Sequence, residues 1–352
     1  MGAGLLAFAI ALFASLVLTV PVRALAIRVG MVDLPGPRKV HLQPIPLLGG
    51  LAIYGGVMLA ILLSFDGQAR AQSFGIVTGA TLVAMVGFLD DRGLLHHQIK
   101  LFVGMPLAAL ILLATGVRAN LFSVLLGGKS GYWLDGGLTI LWVVGITASF
   151  SILDHMDGLC AGVAAMASVF FALLAYLNGQ TVVTMLAAAT LGAAAGFLRW
   201  NFKPAKIFMG DGGAMFLGFF MATLGLKLRM ENSTNLSSWL APVLILGATI
   251  FDTTLVTISR SRRGLLPFAT PGKDHLAHRL ANLGLGQRGA VLIMYLVGAL
   301  GGTAAVLIAY MSTWKATILA AVLAVLMLVA IAWLERTPYE RQKNPAGESV
   351  AA

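Results

Sequence analysis

The chain has 352 residues, of which 59% are hydrophobic and only 11% charged, with a mean hydropathy of +0.90. A soluble protein carries about a quarter charged residues, so this composition excludes a soluble globular domain and points to a polytopic membrane protein. The net charge of +10 is read as basic loops facing anionic lipid rather than as a nucleic-acid surface, and the single cysteine, Cys160, excludes an internal disulfide framework.

Apolar runs long enough to cross a bilayer core of roughly 30 Å are predicted at eleven places, near 4–22, 47–65, 72–90, 100–116, 137–154, 160–178, 181–198, 213–230, 238–257, 290–311 and 316–334. The first lacks a basic leader and a small-residue cleavage site, so it is expected to be a retained span. The loop 23–46 carries Arg38, Lys39 and His41 behind two prolines. The third run closes on Asp90-Asp91, and Lys100 stands at the start of the fourth. The stretch 116–136, with its Gly-Gly-Lys-Ser-Gly, reads as a loop or short hairpin. The fifth run ends in SILDHMDG. The three-residue spacing of Asp154 and Asp157 would put both on one helix face; the plainer reading is a helix-terminal turn with Gly158 as C-cap. Gly192 and Gly196 read as close helix packing. The loop 199–212 holds Arg199, Asn201, Lys203, Lys206 and the Gly-rich turn around Asp211. The loop 258–289 is basic, with His275 and His278 three apart and Arg279 beside them.

The expected fold is therefore an all-α integral membrane bundle, a single domain over 1–335 with a polar tail at 336–352. Taking Lys100 at its boundary, eighteen of the 24 Lys and Arg fall on the face carrying the 23–46, 91–99, 155–159, 199–212 and 258–289 loops plus the tail. The positive-inside rule then places the N-terminus outside and the C-terminus in the cytoplasm, in the inner membrane of the cell. All six histidines share the cytoplasmic face.

Of only fourteen acidic residues, Asp90, Asp91, Asp154, Asp157 and Asp211 sit at span ends on that same face. A carboxylate at the lipid boundary is costly and marks function. Asp90 and Asp91 stand at the negative end of a helix dipole, where two acids are destabilising without a cation. Glycines before a helix N-terminus expose N–H groups to an anion, and an aspartate among them could hold Mg²⁺ against the same phosphate. Oxygen donors favour Mg²⁺ or Mn²⁺, and no Cys/His set has zinc spacing. A solvated acid pair, a helix N-cap at Asp211 and a topology signal in the basic loops are the plainer readings of each piece alone.

In order and spacing, DLPGPRKVHLQPIPLLGG, GFLDDRGLL with Lys100, LDHMDGL, GFLRWNFKPAKIFMGDGG, FDT at Asp252 and HLAHRL cover about residues 30–290. The chain resembles the polyprenyl-phosphate N-acetylhexosamine-1-phosphate transferases, nearer the glycan-initiating branch than the peptidoglycan translocase. The resemblance implies Mg²⁺-dependent transfer of a sugar 1-phosphate, GlcNAc-1-phosphate as first expectation, from a UDP-sugar to undecaprenyl phosphate with release of UMP. It places Asp211 and Asp157 at the metal, and Asp90, Asp91, Asp154, Asp157 and His278 in catalysis. Arg38, Lys39, His41, Lys100, Ser151, Asn201, His275 and Arg279 would bind substrates. Lipid and UDP-sugar are the implied partners, nucleic acid is not, and a homodimer is left open. The chain departs from the family pattern at Ala148 and Ser151, where asparagines are usual, at His155 in place of a glycine, and at Leu47, Gly104, Ala214, Gly272 and Ala277. A transporter, or a non-catalytic relative that only binds lipid phosphate, are the competing classes. The absence of a visible repeat and the placement of acids at span ends count against a transporter.

Overall fold

The computed structural model describes residues 2–35, 43–230, 235–266, 272–337 and 339, and it is helical almost throughout. Helix α1 (Gly2–Arg28) leads through a small antiparallel ribbon, β1 (Val32–Asp33) with β2 (Ile45–Pro46), in which Val32 faces Pro46. Next come α2 (Gly50–Ser64), α3 (Gly67–Asp91), the short α4 (His97–Ile99), a π-helical turn at Lys100–Gly104, and α5 (Met105–Ala114). The middle of the chain forms α6 (Phe122–Leu125), α7 (Gly128–Leu153), α8 (Leu159–Leu177), α9 (Thr181–Asn201) and α10 (Gly210–Lys227). The last third holds α11 (Asn235–Ile245), α12 (Gly247–Ser261), α13 (Leu276–Leu280), a second π-helical turn at Ala281–Leu285, α14 (Gly286–Ala309) and α15 (Thr313–Leu334).

Each predicted apolar run coincides with helix. Among the described residues, seven helices are long and apolar enough to cross a membrane, and eight if α11 and α12, bent by 71° at their junction, make one span. Helices α2 and α5 are apolar but shorter. The protein is an all-α, multi-pass membrane protein.

Helix α10 is the hub. Between Asp211 and Lys227 it has no charged residue, and from Gly212 to Leu226 it is buried along its whole length by α2, α3, α7, α8 and α9. A helix apolar on every face belongs inside a bundle, and this one brings its N-terminus to the acids and its C-terminus to the opposite end. At that far end, a cavity of about 610 Å³ is lined by Asp66, Gln68, Gln72, Gln180 and Lys227 among others. Gly192 and Gly196 press α9 onto α1: a Cβ at either would meet a backbone carbonyl, Phe8 O at 2.2 Å or Leu12 O at 2.4 Å. The expected packing role of that pair is what the geometry shows.

Two local expectations change. The stretch 116–136 is not a loop or hairpin throughout, because α7 begins at Gly128. Its fully buried Asp135 accepts hydrogen bonds from the N–H groups of Leu121, Phe122 and Ser123, which caps α6. Asp154 and Asp157 do not share a helix face. Helix α7 stops at Leu153, and residues 154–158 form a turn whose Gly158, at φ +79°, starts α8 rather than closing α7. The left-handed conformation there is one that glycine alone adopts without penalty.

Candidate active site

The N-terminus of α10 organises the acids. Its first three N–H groups have no helical partner. Asp91, from the end of α3, takes the N–H of Asp211 at 2.8 Å on one oxygen and that of Gly212 at 3.1 Å on the other. Asp154 accepts from the N–H of Gly210. The anion expected at this Gly-rich turn is thus supplied by the chain itself. Gly210 has φ +76°, and a Cβ on it would meet the Asp91 carboxylate at 2.5 Å, so the close approach requires glycine.

Asp211 turns its own side chain the other way. One oxygen accepts from the Ser151 hydroxyl at 2.5 Å, and the other meets the Lys100 ammonium at 2.7 Å. Lys100 reaches Asp90 as well, at 2.6 Å. It opens a π-helical turn, a local widening that often occurs at functional sites. Asp157 accepts from the N–H of Ala205 at 3.0 Å, which ties the α7–α8 turn to the loop before α10. The five sequence-distant acids therefore converge. Although Asp154 keeps some surface, burial pushes its carboxyl up to about 8, and the charges of Asp211, Asp91 and Asp157 push the same way. Among the described residues, Lys100 is the basic side chain that ion pairs tie to this acid cluster.

Beside it lies the histidine loop. His275 precedes α13, and its Nδ1 lies 2.8 Å from Asp252 of α12, whose other oxygen takes the N–H of Leu276 at 2.7 Å. His155, in the acid turn, stacks its ring between them: 4.1 Å from the His275 ring and 4.6 Å from that of His278. The rings of His275 and His278 themselves stand 6.5 Å apart. Burial, then the charges His275 and His278 can carry, hold the His155 pKa well below its ordinary value, so the ring is neutral. Behind the histidines, Arg260 makes two bonds to Asp274, at 3.0 and 2.8 Å, and Arg263 adds a third. Burial raises the Asp274 pKa, but Arg260 and Arg263 outweigh it and bring the group to about 2.

Two expected substrate contacts are otherwise engaged. Asn201 is buried, its oxygen taking the Gly158 N–H at 3.0 Å and its amide donating to Ile207 O at 3.0 Å. Arg279 is fully buried and donates to Asp274 O, Leu334 O, Ser259 and Glu335. Both hold loops in place rather than presenting donors to a ligand. Arg38, Lys39 and His41 lie outside the described residues. Asp252 joins the site without having been picked out for a role. Its signal was the FDT motif, an acid inside an apolar run.

The donor set fits a hard divalent cation. Mg²⁺ is bound through one or two carboxylates plus waters and substrate phosphates rather than in a full protein cage. Here aspartates offer oxygen only, around a centre held together by a single ammonium.

The glycosyl transferase family 4 model matches residues 73–229, which run from α3 to just past α10. A probable undecaprenyl-phosphate N-acetylglucosaminyl 1-phosphate transferase of Bacillus subtilis is 35% identical over 92% of this chain and 90% of its own length. A decaprenyl-phosphate N-acetylglucosaminephosphotransferase of Mycolicibacterium smegmatis is 33% identical over 92% and 87%. An undecaprenyl-phosphate alpha-N-acetylglucosaminyl 1-phosphate transferase of Yersinia pestis is 28% identical over 79% and 77%. With the acids brought together by the segments that the family model spans, the chain belongs to glycosyl transferase family 4 and is an enzyme of that family.

Proposed function

We propose that the protein transfers GlcNAc-1-phosphate from UDP-GlcNAc to a polyprenyl phosphate of the undecaprenyl type, releasing UMP and starting a cell-envelope glycan. The observation that carries this reading is the closure of Asp90, Asp91, Asp154, Asp157 and Asp211 around the α10 N-terminus and Lys100. The relatives' names supply the acceptor class and the sugar phosphate. In the reaction an acceptor phosphate oxygen forms a bond to the β-phosphorus of the donor. The bond from that phosphorus to the bridging oxygen breaks, and its electron pair leaves with UMP. Such transfers need positioning and charge neutralisation more than covalent help.

Asp211 and Asp157 would hold Mg²⁺, with Mn²⁺ as the alternative, and the cation when bound offsets charge on the phosphate oxygens. Ser151 fixes the Asp211 rotamer. Asp91 fixes the start of α10, and Lys100 holds Asp90 and Asp211 together until a ligand competes for them. His278 faces the same turn from the opposite loop and contacts the donor, while His275 is held beside it by Asp252. The eleven helical runs cross with the N-terminus outside, and the site opens at the cytoplasmic face of the inner membrane. The test is incubation of purified protein with tritiated UDP-GlcNAc, Mg²⁺ and undecaprenyl phosphate. Lipid-extractable label with equimolar UMP is expected. Neither product appearing, across several UDP-sugars, overturns the proposal.

A further inference from the structure

Buried polar atoms are paired in folded proteins, and a buried group left without a partner costs about 1–3 kcal/mol. His155 breaks that rule twice, since both its ring nitrogens are shut off from solvent and neither has a hydrogen-bond partner. The ring is also crowded by two other histidines. A structural histidine would turn one nitrogen to a backbone carbonyl, and a glycine at this position would leave no such debt.

Among the described residues, one group of three metal-ligating side chains has its donor atoms within 4.8 Å of one another: His155, Asp252 and His275. This group is not the aspartate centre, which offers oxygen alone. It mixes imidazole nitrogen with carboxylate, the set that zinc and its neighbours prefer over Mg²⁺. We propose that His155, Asp252 and His275 form a second metal site, for a zinc-class divalent cation, which ties the α7–α8 turn to α12 and the loop before α13.

In a tetrahedral zinc site with ligand bonds of roughly 2.0–2.1 Å, donor atoms stand about 3.4 Å apart. His275 Nδ1 and the Asp252 oxygen, at 2.8 Å, are already inside that separation. Closing the site takes a rotation of the His155 ring that brings one unpartnered nitrogen in from within 4.8 Å, a movement of up to about 1.4 Å. The cation takes the place of the proton shared by His275 and Asp252, which is released to solvent. Arg260 lies 3.4 Å from the other His275 nitrogen, but its charge is answered by two bonds to Asp274. Three protein ligands leave one position open, the arrangement that admits water or a substrate oxygen.

The site is independent of the magnesium reading, and its test does not use transfer activity. Purified protein is stripped with a chelator, reloaded with zinc in the presence of excess Mg²⁺, and analysed for bound metal. The expected result is one zinc per chain in the wild type and in Asp211→Asn. His155→Gly and His155→Gln, the second of which keeps the volume of the ring, should weaken zinc binding by roughly 100-fold or more, beyond the loss seen for outer-shell partners. Cobalt in place of zinc should give visible absorption in the wild type that is absent from both variants. Zinc retained equally by the His155 variants, zinc displaced by Mg²⁺, or no bound zinc in the wild type would each overturn the proposal. The first outcome would place the metal elsewhere, the second in the aspartate centre. The third would leave the His155 nitrogens to an organic or phosphate ligand.

Discussion

Two charge clusters lie side by side at one end of this bundle, one half-buried and one buried, and they are balanced in opposite ways. Among the described residues, five carboxylates gather around the Lys100 ammonium, which pairs with Asp90 and Asp211, and a helix N-terminus, which holds Asp91. Around Asp274, three guanidiniums find carboxylates in Asp274 and Glu335, and Arg279 also satisfies two backbone carbonyls. The second cluster is closed: each charge has its answer within the chain, and the result is a fixed loop. Among the described residues the first has more acids than paired cations, a cost that a retained proton or a bound cation relieves. Family resemblance apart, that imbalance separates a site from a scaffold.

The sharpest way to break this distinction is to neutralise one member of each cluster. Asp211→Asn removes charge from the aspartate centre but keeps shape and hydrogen bonds. Transfer should fall by about 1,000-fold or more, with folded yield unchanged, since metal-held charge contributes several kcal/mol to such a step. Radiolabel transfer together with size-exclusion profiles in detergent checks both halves. Turnover at wild-type rate would remove Asp211 from the metal. The scaffold should answer in the reverse way. Arg279→Ala leaves Glu335 with Arg262 alone, at 3.6 Å, takes a donor from two carbonyls, and should cost about 3 kcal/mol of stability, as breaking one side of a buried pair does. Thermal unfolding in detergent reads that loss. Unchanged melting with lost transfer would move Arg279 from the scaffold to the substrate.

The contrast was only half legible in the amino-acid string. Apolar runs fixed the helices because lipid allows no other way to satisfy the backbone. The acids could be collected on one face from span counting alone. What a string cannot carry is the pairing. Asp91 and Asp211 are 120 positions apart, and nothing local says that one caps the helix the other begins. The spacing of Asp154 and Asp157 suits a helix face as well as a turn. Only the left-handed Gly158 decides for the turn, and it does so once α8 packs against its neighbours. Asn201 and Arg279 looked available because their partners are backbone groups, which have no signature in composition. His155 was visible as a departure, but its two stacked neighbours come from a loop more than a hundred residues later.

A gentler probe uses protons. Burial and neighbouring acids push the Asp154 carboxyl up to about 8, from an ordinary value of about 3.8, so the folded chain keeps a proton that the unfolded chain has lost between those limits. Without metal, this group therefore subtracts stability as pH rises through that window. A cation that binds the acids removes the penalty. The gain in melting temperature from Mg²⁺ should thus be larger at about pH 9 than at about pH 5, by a few degrees. The Asp274 loop behaves oppositely. Its lowered pKa makes its contribution complete above about pH 4 and lost only as pH falls toward 2, so it is level across the same range. Equal Mg²⁺ shifts at both pH values would mean that Asp154 is not part of the cation's surroundings.

The smallest expected effect concerns the positions where this chain lacks asparagine. Ala148 is buried and nearly without surface, whereas Ser151 donates to Asp211 at 2.5 Å. Serine and asparagine can both supply that donor, but asparagine reaches further and brings an acceptor oxygen as well. Ser151→Asn should therefore keep the Asp211 rotamer and alter transfer by less than about ten-fold, the scale of one hydrogen bond gained or lost. Ala148→Asn has no such partner waiting and must find room in a packed wall, so the pair is best made together. If the double variant changes the ratio of rates between UDP-GlcNAc and UDP-GalNAc, these positions read the donor. If it changes the common rate alone, they act through Asp211, and sugar choice lies with the histidine loop.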